Sequence, residues 1–165
     1  MTEFEQQFND LMAGLAAELT RRNWRMATAE SCTGGLIAKC CTDIAGSSNW
    51  FDSAYVVYSY EAKERMLGIP HGDLLKYTAV SEEIAGQMAV RAKQRSKVEV
   101  VVSVTGIAGP GGARPGKPVG LVHFGWCVEP HPLEYGVKIF QGDRQSVREQ
   151  TVLHALEGIR TRLNT

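Results

Sequence analysis

Apolar residues near the amino terminus recur at steps of three and four positions. The set comprises Phe4, Phe8, Leu11, Met12, Leu15 and Leu19. This spacing is that of an amphipathic helix, and it predicts a helix over about residues 3 to 22 that packs on a sheet. The same pattern returns near the carboxyl terminus in Val152, Ala155, Leu156, Ile159 and Leu163. It predicts a final helix over residues 143 to 163.

Runs of β-branched and aromatic residues between these helices predict five strands. The first two are WRMATAES (24–31) and WFDSAYVVYSY (50–60). Each is followed by a segment of helical composition, GGLIAKCCTDI (34–44) and EAKERMLG (61–68). The other three are VEVVVSVTG (98–106), VGLVHFGWCVE (119–129) and EYGVKIFQG (134–142). The nearly unbroken β-branched run over residues 98 to 106 is typical of a strand that is covered on both faces.

A further helix is predicted between the second and third strands. The segment AVSEEIAGQMAVRAKQRSK (79–97) has Ser81 as a plausible N-cap, acidic residues in its first turn and basic residues in its last. This distribution of charge agrees with the helix dipole. The order of elements predicts an α/β fold, a single domain over residues 1–165 in which helices flank a mixed central sheet in a three-layer arrangement.

Charge and composition narrow the class of partner. The chain has 18 acidic and 18 basic residues, so no excess of charge attracts nucleic acid or anionic lipid, and a small-molecule substrate is favoured. The amino terminus lacks the basic and apolar regions of a secretory signal, and no apolar run is long enough to span a membrane. The four cysteines show neither a CxxC pair nor zinc-ligand spacing. These features predict a cytoplasmic protein with reduced thiols that binds neither nucleic acid nor membrane.

A first polar cluster follows the first predicted strand. It comprises Glu30, Ser31, Cys32, Thr33, Gly34 and Gly35. Because Gly34 and Gly35 lack a β-carbon, a ligand can approach free backbone N–H groups, and such donors suit a phosphate or a developing oxyanion. The alternative is structural: Ser31 or Thr33 caps a helix, and the two glycines allow close packing.

Two further clusters lie at predicted strand ends, where open α/β sheets bind their ligands. Tyr58 and Lys63 follow the second strand, although their local pattern alone favours a packed tyrosine and a solvated lysine. Thr105 and Gly106 end the third strand and could offer a hydroxyl and a bare backbone to a ligand, without the spacing of a Walker motif. Arg144 begins the last helix, where a cation opposes the helix dipole; this indicates a nearby anion or simply an exposed arginine.

Several of these stretches together resemble one known family. They are TAESCTGGLIAKCCTDIAGSSNWF, YVVYSYEAKERMLG, AVSEEIAGQMA, VSVTGIAGPGG, KPVGLVHFG and GDR, in this order over roughly residues 8 to 164. The chain resembles the nicotinamide-nucleotide amidase family, also known as the C-terminal domain of competence/damage-inducible protein A (CinA). The resemblance implies hydrolysis of nicotinamide mononucleotide (NMN) to nicotinic acid mononucleotide and ammonia in pyridine nucleotide salvage. It also implies an α/β fold, no metal or other cofactor, and a homodimer.

The resemblance also implies roles for particular residues. Ser31, rather than Cys32, matches the family's nucleophile, and Lys63 is the candidate base if burial lowers its pKa. Tyr58 could relay the proton or hold the amine. Backbone N–H groups near Thr33 and Gly34 are expected to stabilise the oxyanion.

The remaining implied residues form a binding site for the substrate. They are Glu30, Thr33, Gly34, Gly35, Thr105, Gly106 and Arg144, with Arg144 and the turn at Thr105 and Gly106 expected to hold the phosphate. One position departs from the family: Tyr60 stands where the family usually has asparagine. Larger relatives carry an additional N-terminal domain, and the chain resembles the stand-alone form.

Three hypotheses for the function remain at this stage. The first is hydrolysis of NMN through an acyl-enzyme on Ser31. The four histidines lie outside the matching stretches, which argues against a Ser-His-Asp arrangement. The second is a binding module for a nucleotide or a partner protein that carries out no chemistry, linked to competence or DNA damage. The third is an amidase for free nicotinamide, which the phosphate-binding features disfavour.

Overall fold

The computed structural model describes residues 1–165 and contains six α-helices and five strands. They are α1 (Glu3–Arg22), β1 (Met26–Glu30), α2 (Leu36–Thr42), β2 (Phe51–Val56), α3 (Tyr60–Leu67), α4 (His71–Tyr77), α5 (Glu82–Ser96), β3 (Val100–Gly106), β4 (Leu121–Val128), β5 (Glu134–Ile139) and α6 (Arg144–Leu163). A short 3-10 helix, Ser47–Asn49, precedes β2.

The strands form one mixed sheet in the order β2-β1-β3-β4-β5. β1 pairs in parallel with both β2 and β3, whereas β4 is antiparallel to β3 and to β5. β5 therefore runs in the same direction as β1, β2 and β3. As a result, the carboxyl ends of four strands meet at one edge of the sheet, and the residues that follow these strands are brought together there.

Helices cover both faces of the sheet. α1, α2 and α6 share one apolar core with β4, which contributes the stacked rings of Phe124 and Trp126. α3, α4 and α5 share a second core on the opposite face, where β1 contributes the small side chains Ala27 and Ala29. This three-layer arrangement confirms the predicted α/β fold.

Two details differ from the sequence-based expectation. α1 packs mainly along α6, and it is α6 that lies directly on β3 and β4. α4 was not predicted, because its seven residues after Pro70 are too few to show a helical period. No helix in the structure combines the length and the apolar composition that crossing a membrane requires.

Candidate active site

A tight turn links β1 to α2 and carries Ser31. The Ser31 N–H donates to the Val104 carbonyl of β3 (3.0 Å), and the Gly34 N–H donates back to the Ser31 carbonyl (3.0 Å). Gly34 and Gly35 both have positive φ angles, 57° and 97°. A side chain at either position would be disfavoured by this left-handed backbone, so the glycines are needed for the turn itself. The turn places Ser31 at the end of the central parallel strand.

The buried carboxylate of Glu30 stabilises this turn through four hydrogen bonds. The carboxylate, which is fully buried, accepts hydrogen bonds from the Thr28 hydroxyl (2.9 Å) and the Thr33 hydroxyl (2.7 Å). It also accepts from the backbone N–H groups of Ile37 and Ala38, each at 3.0 Å, in the first turn of α2. Glu30 was predicted to bind substrate. The structure gives it a different task, because both carboxylate oxygens are occupied and neither reaches the pocket.

Lys63 comes into contact with Ser31 from the first turn of α3. This helix begins at Ser59, whose hydroxyl accepts from the Ala62 N–H (3.0 Å). The Lys63 side chain is fully buried. Its Nζ lies 2.8 Å from Ser31 Oγ, 2.8 Å from the Val57 carbonyl oxygen and 3.1 Å from the Tyr58 carbonyl oxygen.

The three contacts suit an ammonium, whose three N–H groups donate to Ser31 Oγ and to the carbonyls of Val57 and Tyr58. A neutral amine has two N–H donors and one lone pair, so after loss of one proton the two carbonyls still take the N–H groups and the lone pair faces Ser31 Oγ. No carboxylate pairs with Lys63 to favour the ammonium form. Burial lowers the pKa of the Lys63 amine from 10.5 to about 8. The Lys63 amine therefore contacts Ser31 Oγ directly and, with its lowered pKa, loses its proton more readily than a solvated lysine.

Cys32 also lines the pocket but is poorly suited to attack a substrate. Burial raises the pKa of its thiol to about 12, so the thiolate is scarce at neutral pH, and only the thiolate is a strong nucleophile. The surroundings therefore favour Ser31 over its neighbour.

Unpaired backbone N–H groups lie in the same turn. Those of Cys32 and Thr33 donate to no acceptor within the chain, whereas the N–H of Gly34 is occupied by the Ser31 carbonyl. Of the N–H groups expected near Thr33 and Gly34 to meet an oxyanion, that of Gly34 is therefore already occupied. Arg148 of α6 steadies this part of the turn, because its Nη2 donates to the Thr33 carbonyl (2.8 Å).

Tyr58 is placed differently from the expectation that its phenol holds the amine. Its backbone carbonyl contacts Lys63, but its side chain is 62% exposed, and its hydroxyl accepts a hydrogen bond from Arg144 Nη2 (3.3 Å). The other terminal nitrogen of Arg144, Nη1, donates to the Gly109 carbonyl (2.6 Å). Tyr58 therefore contacts the Lys63 amine through its backbone carbonyl and Arg144 through its side-chain hydroxyl.

Most of the residues described above line a single pocket of about 160 Å³. Its lining residues are Ser31, Cys32, Tyr58, Lys63, Ala79, Val80, Thr105, Gly106, Ala108 and Arg144. The Thr105 hydroxyl donates to the Ala79 carbonyl (2.8 Å). A β-carbon on Gly106 would lie 2.6 Å from the Leu121 carbonyl oxygen, so this glycine is required by the close approach of β4. Gly34, Gly35 and Thr33 shape the turn and do not line the pocket.

Sequence reasoning missed Arg148, Ala79, Val80 and Ala108 at this site, of which the last three line the pocket. Arg148 lies one turn after Arg144 on α6, and this spacing of four is the signal that could have found it. Ala79 and Val80 line the pocket without any polar group in their side chains, so no motif marks them. A larger open groove of about 530 Å³ lies beside α1 and α6, and it contains none of the residues described above.

Fold and site together define an α/β protein with a buried serine–lysine pair at the carboxyl ends of parallel strands. The model of the CinA C-terminal domain family matches residues 8–163. The chain belongs to this family, which confirms the resemblance seen in its motifs.

Relatives with known names cover nearly the same length. The chain is 43% identical over 153 residues to "Nicotinamide-nucleotide amidohydrolase PncC" of Enterobacter agglomerans, which covers 93% of each chain. It is 40% identical to the protein of the same name from Escherichia coli K12, again over 93% of each chain. A "CinA-like protein" of Akkermansia muciniphila is 42% identical over 149 residues, which are 90% of this chain but 36% of that protein.

Solved structures share the whole fold. The crystal structure of competence/damage inducible protein CihA from Agrobacterium tumefaciens has a TM-score of 0.92 and 40% identity, and the match covers 100% of both chains. The competence or damage-inducible protein from Enterobacter asburiae has a TM-score of 0.89 and 33% identity, over 94% of this chain and 98% of that one.

Proposed function

We propose that this chain is an amidase that hydrolyses the carboxamide of NMN to nicotinic acid mononucleotide and ammonia. Two lines of support combine. Relatives that match over nearly their full length are named nicotinamide-nucleotide amidohydrolase. The observation that supports the proposal most directly is the 2.8 Å separation of Ser31 Oγ and Lys63 Nζ. A nucleophile is activated by a base that lies within hydrogen-bond distance of it.

In the first half of the reaction, the neutral Lys63 amine accepts the Ser31 proton while Ser31 Oγ attacks the carboxamide carbon. The new C–O bond moves the carbonyl electron pair onto oxygen and forms a tetrahedral oxyanion. The unpaired N–H group of Cys32, a residue that lines the pocket, is a donor for this charge, and such a donor contributes roughly 3 to 4 kcal/mol in other enzymes.

The same lysine completes the cycle. Lys63, now an ammonium, donates its proton to the departing nitrogen, the C–N bond breaks, and ammonia leaves an ester on Ser31. Neutral Lys63 next takes a proton from water, which attacks the ester carbon. Collapse of the second intermediate returns the proton to Ser31 Oγ and releases the carboxylic acid product. Each half begins with a neutral amine, and a pKa of about 8 supplies a usable fraction near neutral pH.

The pocket is large enough to enclose only part of the substrate. Its volume of about 160 Å³ is below the range of roughly 300 to 1,000 Å³ that encloses drug-sized ligands. The pocket therefore takes the carboxamide and its ring, while the ribose and phosphate lie at the rim. Arg144 lies at this rim and uses two of its five N–H groups within the chain, which leaves donors for a phosphate.

Ammonia release from NMN by the purified chain tests this proposal, with Ser31→Ala as the control for background hydrolysis. We expect catalytic turnover that the variant loses. Turnover no faster than that of Ser31→Ala would overturn the proposal in favour of a binding module. Free nicotinamide, which lacks ribose and phosphate, serves as a second substrate. Faster turnover of nicotinamide than of NMN would identify the free amide as the substrate instead.

A further inference from the structure

A strained segment forms one wall of the pocket. Residues 78 to 81, here called the strap, connect α4 to α5 and include the pocket-lining Ala79 and Val80. Thr78 has φ 62° and ψ 160°, a backbone region that is essentially confined to glycine. A β-branched residue there is unfavourable. The strap keeps this conformation only because other groups hold it.

Lys117 holds the strap through two hydrogen bonds. Its Nζ donates to Thr78 Oγ1 (2.7 Å) and to the Val80 carbonyl (2.6 Å). Lys117 lies at the far end of the glycine-rich loop that follows β3. The beginning of that loop is held by the hydrogen bond from Arg144 to the Gly109 carbonyl. One loop thus connects the strap to the arginine at the pocket rim.

Two side chains, those of Tyr60 and Thr105, hold Ala79, which lies between Thr78 and Val80. The Tyr60 hydroxyl accepts a hydrogen bond from the Ala79 N–H (3.1 Å), and the Thr105 hydroxyl donates to the Ala79 carbonyl (2.8 Å). Both backbone groups of Ala79 are therefore engaged, which leaves its methyl group and the adjacent Val80 to line the pocket. Tyr60 is the residue that departs from the usual asparagine of the family motif.

We propose that Lys117 and Tyr60 are positioning residues that keep the strap in its strained conformation, so that Ala79 and Val80 form the apolar wall against which the flat ring of the substrate packs. This inference rests on the proposed amidase function. The wall contacts the ring before and during the reaction alike, so its loss weakens binding in the ground state and the transition state equally. Such a loss raises KM and spares kcat.

The kinetic test uses Lys117→Met, which keeps much of the side-chain length and removes the donors. We expect KM for NMN to rise about tenfold with kcat within about threefold of wild type, the pattern of lost uniform binding. Lys93→Met is the matched control, because Lys93 also makes one close polar contact, to Glu129 (2.9 Å), on a part of α5 that does not line the pocket. We expect this control to keep the wild-type KM.

A rescue experiment separates positioning from general destabilisation. Glycine adopts the backbone angles of Thr78 without steric cost, so adding Thr78→Gly to Lys117→Met favours the native strap again. We expect KM of the double variant to be at least about threefold lower than KM of Lys117→Met, in line with pairwise coupling of contacting residues. Recovery of KM by a residue that supplies no new contact to the substrate is not expected of a merely structural lysine.

Amide hydrogen exchange reports on the strap without any substrate. We expect Lys117→Met and Tyr60→Phe each to speed exchange at the Ala79 N–H, with little change in the core strands. An unchanged KM together with unchanged Ala79 exchange would overturn the inference. So would a rise in exchange throughout the chain without rescue by Thr78→Gly. If wild type fails to hydrolyse NMN, the proposed function fails by itself, and Ala79 exchange still decides whether Lys117 and Tyr60 hold the strap.

Discussion

At the scale of single residues, Ser31 and Cys32 are adjacent candidates for the nucleophile, and their surroundings separate them. Ser31 Oγ contacts the Lys63 amine, whereas the pKa of the Cys32 thiol is raised to about 12. We expect Ser31→Ala to lower kcat by about four orders of magnitude or more, as loss of a nucleophile does elsewhere. Cys32→Ala is expected to retain most of the activity. The reverse result in an ammonia-release assay would assign the attack to the cysteine.

Arg144 is the residue at the rim that we expect to bind the substrate phosphate. Arg144→Ala removes the guanidinium without touching the serine–lysine pair, so KM for NMN should rise about tenfold or more while kcat changes little. Arg160→Ala is the matched control on α6, because Arg160 pairs only with Glu157 (2.7 Å) on the surface. Steady-state kinetics measure both. A KM for Arg144→Ala that equals the control would remove Arg144 from the binding site.

At the scale of elements, the carboxylate of Glu30 joins the end of β1 to the start of α2. Glu30→Gln replaces one acceptor oxygen by an amide nitrogen, which then faces donors rather than accepting from them. We expect the free energy of unfolding to fall by about 1 to 3 kcal/mol, the usual cost of leaving buried groups unpaired. Urea unfolding measures this change. Glu61→Gln on the exposed surface of α3 is the control, and an equal effect there would contradict the role of Glu30.

The elements themselves are largely readable from the sequence. α1, α5 and α6 are long and periodic, and the five strands are rich in β-branched residues, so local pattern predicts them. The site is readable in part. Ser31 and Lys63 follow strands whose ends meet, but the carbonyls that orient the amine come from the backbone and leave no trace in the side-chain pattern. The contact between Lys117 and Thr78 depends on how two loops fold together, which no local spacing encodes.

At the scale of the whole molecule, β5 forms an unpaired edge of the sheet. Tyr135, Val137 and Ile139 alternate along it and are 46%, 55% and 56% exposed. Alternate residues of a strand share one face, and an exposed apolar edge is a template for pairing with another chain. We expect a homodimer that uses this edge. Light scattering should give a dimeric mass for wild type and a monomeric mass for Val137→Lys, and a monomeric wild type would contradict the expectation.

The central claim is that Lys63 is the base that activates Ser31, and the rate of ammonia release from NMN as a function of pH tests it most directly. Burial lowers the pKa of Lys63 to about 8, and only the neutral amine accepts a proton. Wild-type kcat/KM, which reports the pKa values of the free enzyme, should therefore rise with pH and level off above about 8, with activity lost below it as the amine becomes protonated.

The Lys63→Arg variant distinguishes a base from a residue that acts only through its positive charge. Arginine keeps the positive charge but does not deprotonate in this range, so the account predicts a rate nearly as low as that of Lys63→Ala at every pH. The contradicting result is a Lys63→Arg variant that keeps most of the wild-type rate with the same pH profile. Lys63 would then act only through its charge, and another group would have to take the Ser31 proton.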